Sequence, residues 1–172
     1  IRHLNLIQKN KNKIKAKNKK SRSNTKSKIN FSAHSLYIIP CGGCGEFGMN
    51  LTAYIHHGEL YIVDAGTLFP PPQLLGVQSI YPSIKSLVQQ FKGVKAYIIT
   101  HGHEDHIGAM PYILKTWPAP VYCTPWTQLL LKKKFEKTSV NPNLLKVVKP
   151  GETVGLSGLK VEFVHVNHSI PD

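Results

Sequence analysis

His101, His103, Asp105 and His106 place four metal-capable side chains within six residues, in the run Thr100-His101-Gly102-His103-Glu104-Asp105-His106. Imidazole and carboxylate groups are good ligands for zinc and similar divalent ions. A scatter of such residues is ordinary in a solvated loop, but the spacing His-x-His-x-Asp-His argues for a metal site. A further histidine, His168, lies in the last motif of the chain, Asn167-His168-Ser169-Ile170-Pro171-Asp172.

The elements around the cluster must hold it in place. Ala96 to Ile99 is short, apolar and partly β-branched, which predicts a buried strand ending just before the histidines. Ile107 to Lys115 continues with apolar residues at helical spacing, so a helix over about 105–116 follows, with Pro111 imposing a kink or a late start. The cluster thus sits where a strand passes into a helix.

Upstream, Ser35 to Pro40 reads as a first strand. Four glycines in seven residues follow (Gly42, Gly43, Gly45, Gly48), a backbone able to turn sharply and approach another group closely. A plain connection and a phosphate cradle are both open readings, although no Gly-Lys-Ser/Thr follows to make a Walker A loop. Leu51 to His57 and Leu60 to Val63 predict a hairpin turning at Gly58-Glu59, with His56 and His57 exposed beside the turn. Asp64 ends the second strand. A carboxylate there can orient ligating histidines from behind or simply form a turn before Gly66.

Ile80 to Phe91 carries apolar residues at helical spacing, with Pro82 in the first turn. Pro120 to Cys123 predicts a strand and Pro125 to Phe135 a helix. Lys132, Lys133 and Lys134 near its end complement the helix dipole; they read first as a solvated helix end and second as a contact for a nucleic-acid backbone. Strands are expected at Leu144 to Val148 and Leu159 to Val166, the latter with Val161, Phe163 and His165 on one face. Strands interleaved with helices make the class α/β.

The 172 residues fit one domain with a tail: residues 1–34 as a basic disordered segment and residues 35–172 as the domain. The formal charge of +13 is unevenly spread, with eleven Lys and Arg and no acid in residues 1–30. Residues 31–172 hold the other eleven against nine acids, only +2. The Lys/Asn/Ser-rich tail has too little apolar surface to offset its ordering entropy. It reads as a solvated extension, as an electrostatic attachment to RNA, or less well as a transit segment, being Lys- rather than Arg-rich. No apolar run reaches the roughly 18 residues of a membrane span, so no membrane partner is expected. Three cysteines cannot form a closed disulfide set. Cys41 and Cys44 read as ordinary thiols in a Gly-rich turn and Cys123 as core, consistent with a cytoplasmic location.

Four segments together resemble the ribonuclease J family, in the β-CASP branch of the metallo-β-lactamase fold. Gly42 to Asn50 is similar to its opening GGxGExGxN loop, Asp64-Ala65-Gly66-Thr67-Leu68-Phe69-Pro70 to its DAGxxFP segment, His101 to Ala109 (HGHEDHIGA) to its metal motif and His168 to Asp172 to its HSIPD motif. Where the family usually carries acids in a GIDxxxPD pattern, this chain has Gln78 and Ser83.

The resemblance implies an α/β four-layer αββα sandwich, incomplete in this chain. It implies that His101, His103 and His168 hold one zinc and that Asp105 and His106 hold a second and carry the catalysis. Asp64 would support them, and His165 matches no motif. It implies 5′-to-3′ exonuclease and endonuclease action on RNA and a homodimer or tetramer when complete. A bridging Asp, a distal His and an inserted β-CASP domain would lie beyond Asp172, so the 172 residues alone are expected to have little activity. Two alternatives use the same ligands: a hydrolase of thioesters, lactones or β-lactams, and a non-catalytic metal- or RNA-binding remnant.

Overall fold

The computed structural model describes residues 29–171. Residues 1–28 of the expected tail, and Asp172 of the last motif, lie outside the described residues. Within the rest of the segment assigned to the tail, Phe31 packs edge-on against Tyr37 at 5.0 Å and tilted against Phe91 at 5.4 Å. Core packing therefore begins at least four residues ahead of the expected boundary at 35.

Six strands form one mixed sheet in sequence order: β1 (Tyr37–Gly42), β2 (Leu51–His56), β3 (Glu59–Val63), β4 (Ala96–Ile98), β5 (Val121–Cys123) and β6 (Leu145–Val147). The first three are antiparallel, and β3 to β6 run parallel. Parallel neighbours need crossovers. These carry α1 (Lys85–Val88), α2 (Glu104–Ile107) with α3 (Met110–Thr116), and α4 (Pro125–Glu136). A separate hairpin follows, β7 (Thr153–Leu156) with β8 (Leu159–Glu162).

Both faces of the sheet are covered. On one face Leu51, Ala53 and Ile55, spaced by the strand period of two, join Ile62, Tyr97, Ile99 and Val121 against helix residues such as Met110, Ile113, Leu131 and Phe135. On the other, Tyr61, Ala96 and Ile98 meet Val154, Leu159, Val161 and Phe163 of the hairpin and the residue after it. One α-layer, one sheet and the beginning of a second β-layer are thus present, in line with an incomplete αββα sandwich.

Local chemistry moves several expected boundaries. The β2–β3 turn is His57-Gly58 rather than Gly58-Glu59; both residues have positive φ, 48° and 73°, as a type I′ hairpin turn requires. The helix expected over Ile80 to Phe91 is only α1, because Leu68 and Ile80 exchange backbone hydrogen bonds of 2.8 and 3.0 Å that hold the first part extended. Pro111 starts α3 instead of bending one long helix, and separates it from α2. The last strand stops at Glu162, so His165 lies on irregular backbone. β7 was not anticipated; its turn, Ser157-Gly158 with φ of 40° and 98°, is a Ser-Gly pair typical of turns.

Tyr97 is fully buried and donates its hydroxyl hydrogen to the Trp117 carbonyl at 2.9 Å. Burial pushes its phenol well above the usual range, while in the unfolded chain it ionises near pH ~10. A group whose folded pKa is raised keeps its full contribution below the unfolded pKa and loses it above. Stability should therefore fall by about 1.4 kcal/mol per pH unit from this residue as pH rises beyond ~10. Tyr97→Phe, followed by urea unfolding at stepped pH, should flatten that slope.

Candidate metal centre

Parallel pairing of β3 with β4 brings two strand ends to one edge of the sheet, in the register Val63↔Ile98. Asp64 leaves the end of β3 and Thr100-His101 the end of β4. The Asp64 amide donates to the Ile98 carbonyl at 2.9 Å, which fixes the two segments side by side. Asp64 has φ +59°, a left-handed conformation that Asp tolerates better than most residues. It turns the carboxylate inward, and the residue is only 5% exposed.

That buried carboxylate is fully engaged. It accepts from the Thr100 amide at 2.8 Å, from the Thr100 hydroxyl at 2.9 Å to Oδ2, and from His106 Nδ1 at 2.8 Å. The contact with His106 assigns the tautomer: Nδ1 carries the hydrogen and Nε2 presents its lone pair. The Asn50 side-chain nitrogen Nδ2 lies 3.1 Å from that Nε2, in agreement. Thr100 extends the same logic to His101, whose Nδ1 is 2.9 Å from the hydroxyl oxygen, leaving Nε2 facing forward.

Three ring nitrogens then converge. His101 Nε2 and His168 Nε2 stand 3.0 and 3.1 Å from His103 Nδ1, and the ligand atoms of the three histidines lie within 4.8 Å of one another. Tetrahedral nitrogens bound 2.0–2.1 Å from a zinc ion would stand about 3.3 Å apart. The donor set and its spacing fit a divalent metal. Beside it, Asp105 Oδ2 lies 3.5 Å from His106 Nε2, and the His106 ring centre is 4.0 Å from that of His101. Asp105 and His106 thus form an adjoining pair, with fewer donors than the histidine triad. His165 is outside the triad and lines the neighbouring cleft.

Two electrostatic shifts follow. Burial, then the charge of His106, pull the His101 pKa down. For His106 burial is the largest influence and pulls down, but the Asp64 hydrogen bond and the charges of Asp64 and Asp105 together outweigh it, and its pKa rises.

Backbone stitching holds the cluster against two other segments. Asn50 donates its amide to the Asp105 carbonyl at 2.9 Å and its side-chain nitrogen to Asp105 Oδ2 at 3.0 Å. The Ala65 amide donates to His106 at 2.7 Å, and the Ala109 amide returns to Ala65 at 2.8 Å. Gly66 is required by this approach, because a Cβ there would overlap the Asp105 carbonyl. Asn50 and Thr100 were given no role from sequence. The only signal for them is position, at the end of the Gly-rich loop and immediately before His101.

A broad cleft of about 530 Å³ opens beside His101 and His168, walled by Ile98, Val161, Phe163 and Val166.

The sequence profile of the metallo-β-lactamase superfamily matches residues 45–169. Among curated proteins, the chain is 41% identical over 143 residues to "Ribonuclease J" of Sinorhizobium meliloti, covering 80% of this chain and 25% of that protein. It is 35% identical over 143 residues to "Ribonuclease J" of Thermus thermophilus, covering 78% and 25%. The chain therefore spans about a quarter of the length of these relatives. Among solved structures, Zn(2+)-bound PqqB from Methylobacterium extorquens aligns with a TM-score of 0.51 at 16% identity, over 69% of this chain and 43% of that one, a likeness of fold.

Asp64→Asn removes the charge behind His106 and Thr100, and should weaken binding of a divalent ion by about 10–100-fold, read by titration calorimetry with zinc. Gly66→Ala forces Asp105 and His106 away from Ala65 and should cost about 3 kcal/mol, measured by urea unfolding of the metal-free chain.

Proposed function

The chain belongs to the metallo-β-lactamase superfamily, and on that premise we propose that it carries the metal centre of a zinc-dependent ribonuclease. The observation that supports this best is the joining of a three-histidine set to the Asp105–His106 pair, in a chain whose curated relatives are named ribonuclease J. His101, His103 and His168 would hold one ion through Nε2, Nδ1 and Nε2, and Asp105 and His106 would contribute to a second. When bound, such ions supply Lewis acidity toward phosphoryl oxygens and a nucleophile from water at neutral pH.

The protein's own groups prepare that chemistry. Asp64 keeps the His106 hydrogen on Nδ1, and Thr100 accepts from His101 Nδ1, so both Nε2 lone pairs face the site. Asn50 orients the Asp105 carboxylate. The ion pair of Lys134 with Glu104 at 2.5 Å ties the start of α2 to α4, which limits movement of the adjacent His103. Ile98, Val161 and Phe163 wall the cleft beside His101 with apolar surface, restricting water on that side.

The substrate in this reading is RNA, hydrolysed at phosphodiester bonds by both 5′-to-3′ exonuclease and endonuclease action, in a homo-oligomer and in the cytoplasm. Among the described residues no helix is long and apolar enough to cross a membrane. The apolar walls of the cleft favour a second reading, a hydrolase of acyl substrates such as thioesters. With only Asp105 and His106 at the second position among the described residues, the 172-residue chain should cleave RNA slowly by itself.

Zinc content measured by mass spectrometry separates ligand from bystander. His103→Ala should lower it by about one ion per chain, whereas unchanged stoichiometry would sink the assignment. Slow zinc-dependent cleavage of a labelled RNA, abolished by a chelator, is expected; hydrolysis of a model thioester but never of RNA would reverse the preference between the two readings.

A further inference from the structure

A second cleft, of about 610 Å³, lies between α3 and α4 on the helical side of the domain. Its lining includes Gly102 and Glu104, the residues on either side of His103. Lys115 lines one wall and Lys133 and Lys137 the other. All three are exposed and, among the described residues, form no ion pair. The acid in the cleft, Glu104, is already paired with Lys134, so the local charge is strongly positive although the domain as a whole is nearly neutral.

Aromatic surface adjoins these cations. Tyr112, three residues before Lys115 and thus on the same helical stripe, also lines the cleft. It stacks on Tyr81 with ring centres 5.4 Å apart and planes 8° from parallel. The two residues remain 44% and 41% exposed, so the stack lies at the surface. Backbone bonds between Leu68 and Ile80 hold Tyr81 in place. Cations on both walls with an open ring stack at the rim match the way single-stranded nucleic acid is bound: lysines track phosphates and rings take unstacked bases.

We propose that this cleft is a single-stranded RNA-binding track, with Lys115, Lys133 and Lys137 on phosphates and the Tyr81–Tyr112 stack receiving a base, leading past Gly102 toward the metal centre. The inference rests on RNA being the substrate.

The test uses the full chain in metal-free buffer and a fluorescent 12-nucleotide single-stranded RNA carrying 5-iodouridine. Photocrosslinked peptides are mapped by mass spectrometry, and affinity is followed by anisotropy over a salt series. Crosslinks at Tyr112 or Tyr81 are expected. The combined change Lys115→Gln, Lys133→Gln, Lys137→Gln should reduce the salt slope by about 2, at roughly 0.7 per phosphate contact. Tyr112→Ala should weaken binding about tenfold, and Tyr112→Phe, which keeps the ring, should bind as the unaltered chain does. Crosslinks confined to residues 1–28 with an unchanged salt slope would overturn the track, as would absence of any RNA binding. Zinc content of the unaltered chain, measured by mass spectrometry, tests the metal centre separately. Bound zinc with no crosslink in the cleft sinks the track alone, and RNA crosslinked in the cleft by a chain that takes up no zinc sinks the metal-centre reading alone.

Discussion

The Asp64 carboxylate is the contact on which the site depends. A buried carboxylate is costly unless it is paired and hydrogen-bonded, and this one accepts from the Thr100 amide, the Thr100 hydroxyl and His106. Each bond that stabilises the anion also fixes a donor. Thr100 is held at the end of β4, and through its hydroxyl the His101 ring is turned. His106 is held directly. One charge thereby sets the tautomer of two histidines in different candidate ligand sets. The sheet makes this possible, because parallel β3 and β4 end at the same edge and Asp64 needs only one left-handed residue to reach across.

The second constraint is backbone proximity. Residues 49–50, 64–67 and 104–109 exchange main-chain hydrogen bonds outside any sheet. Three chain segments can approach so closely only where side chains are absent. Gly66 lies against the Asp105 carbonyl, and Gly108 against Thr67 and the Glu104 carbonyl. These glycines are explained by contact rather than by turn geometry, since neither has a positive φ. The Gly-rich loop plays a related part. A Cβ at Gly43 would overlap the Asn50 side chain, the group that reaches Asp105 and His106. The loop joins antiparallel β1 and β2, as a plain hairpin connection does, and the close approach at Gly43 lets the Asn50 side chain stand beside Asp105 and His106.

Much of this was legible in the sequence because the relevant signals are local. Four candidate ligands in one heptapeptide, alternation in Leu51 to Ile55 and the apolar run before His101 each depend on neighbours within a few residues. The convergence of His168 with His101 and His103 came from motif resemblance, since no periodicity relates residues 65 apart. Expectations failed where a distant contact overrode local pattern. Ile80 to Ile84 has helical spacing, but the bridge from Ile80 to Leu68 claims its backbone groups. Val161, Phe163 and His165 alternate as a strand should, but pairing with β7 ends at Glu162. Asn50 and Thr100 were passed over because an amide or a hydroxyl beside a turn is ordinary in sequence and becomes specific only when its partners, 55 and 36 residues away, are in place.

Charge carries the same lesson about scale. The net +13 is dominated by the first thirty residues, and averaging conceals how the domain arranges its own ions. Within the domain four of the acids are committed: Asp64 to His106 and Thr100, Asp105 to Asn50, Glu59 to Lys95 and Glu104 to Lys134. Committed acids leave cations on the surface with their fields uncancelled. Where three such lysines line one cleft, the local potential is set by that sorting and not by the domain's near-neutral total. The Glu104–Lys134 pair belongs to both parts of the argument. It fastens the start of α2, next to His103, to α4, and it removes the negative charge that would otherwise oppose a phosphate chain approaching from that side. The ordering of the candidate metal ligands and the positive character of the cleft beside them therefore share one ion pair.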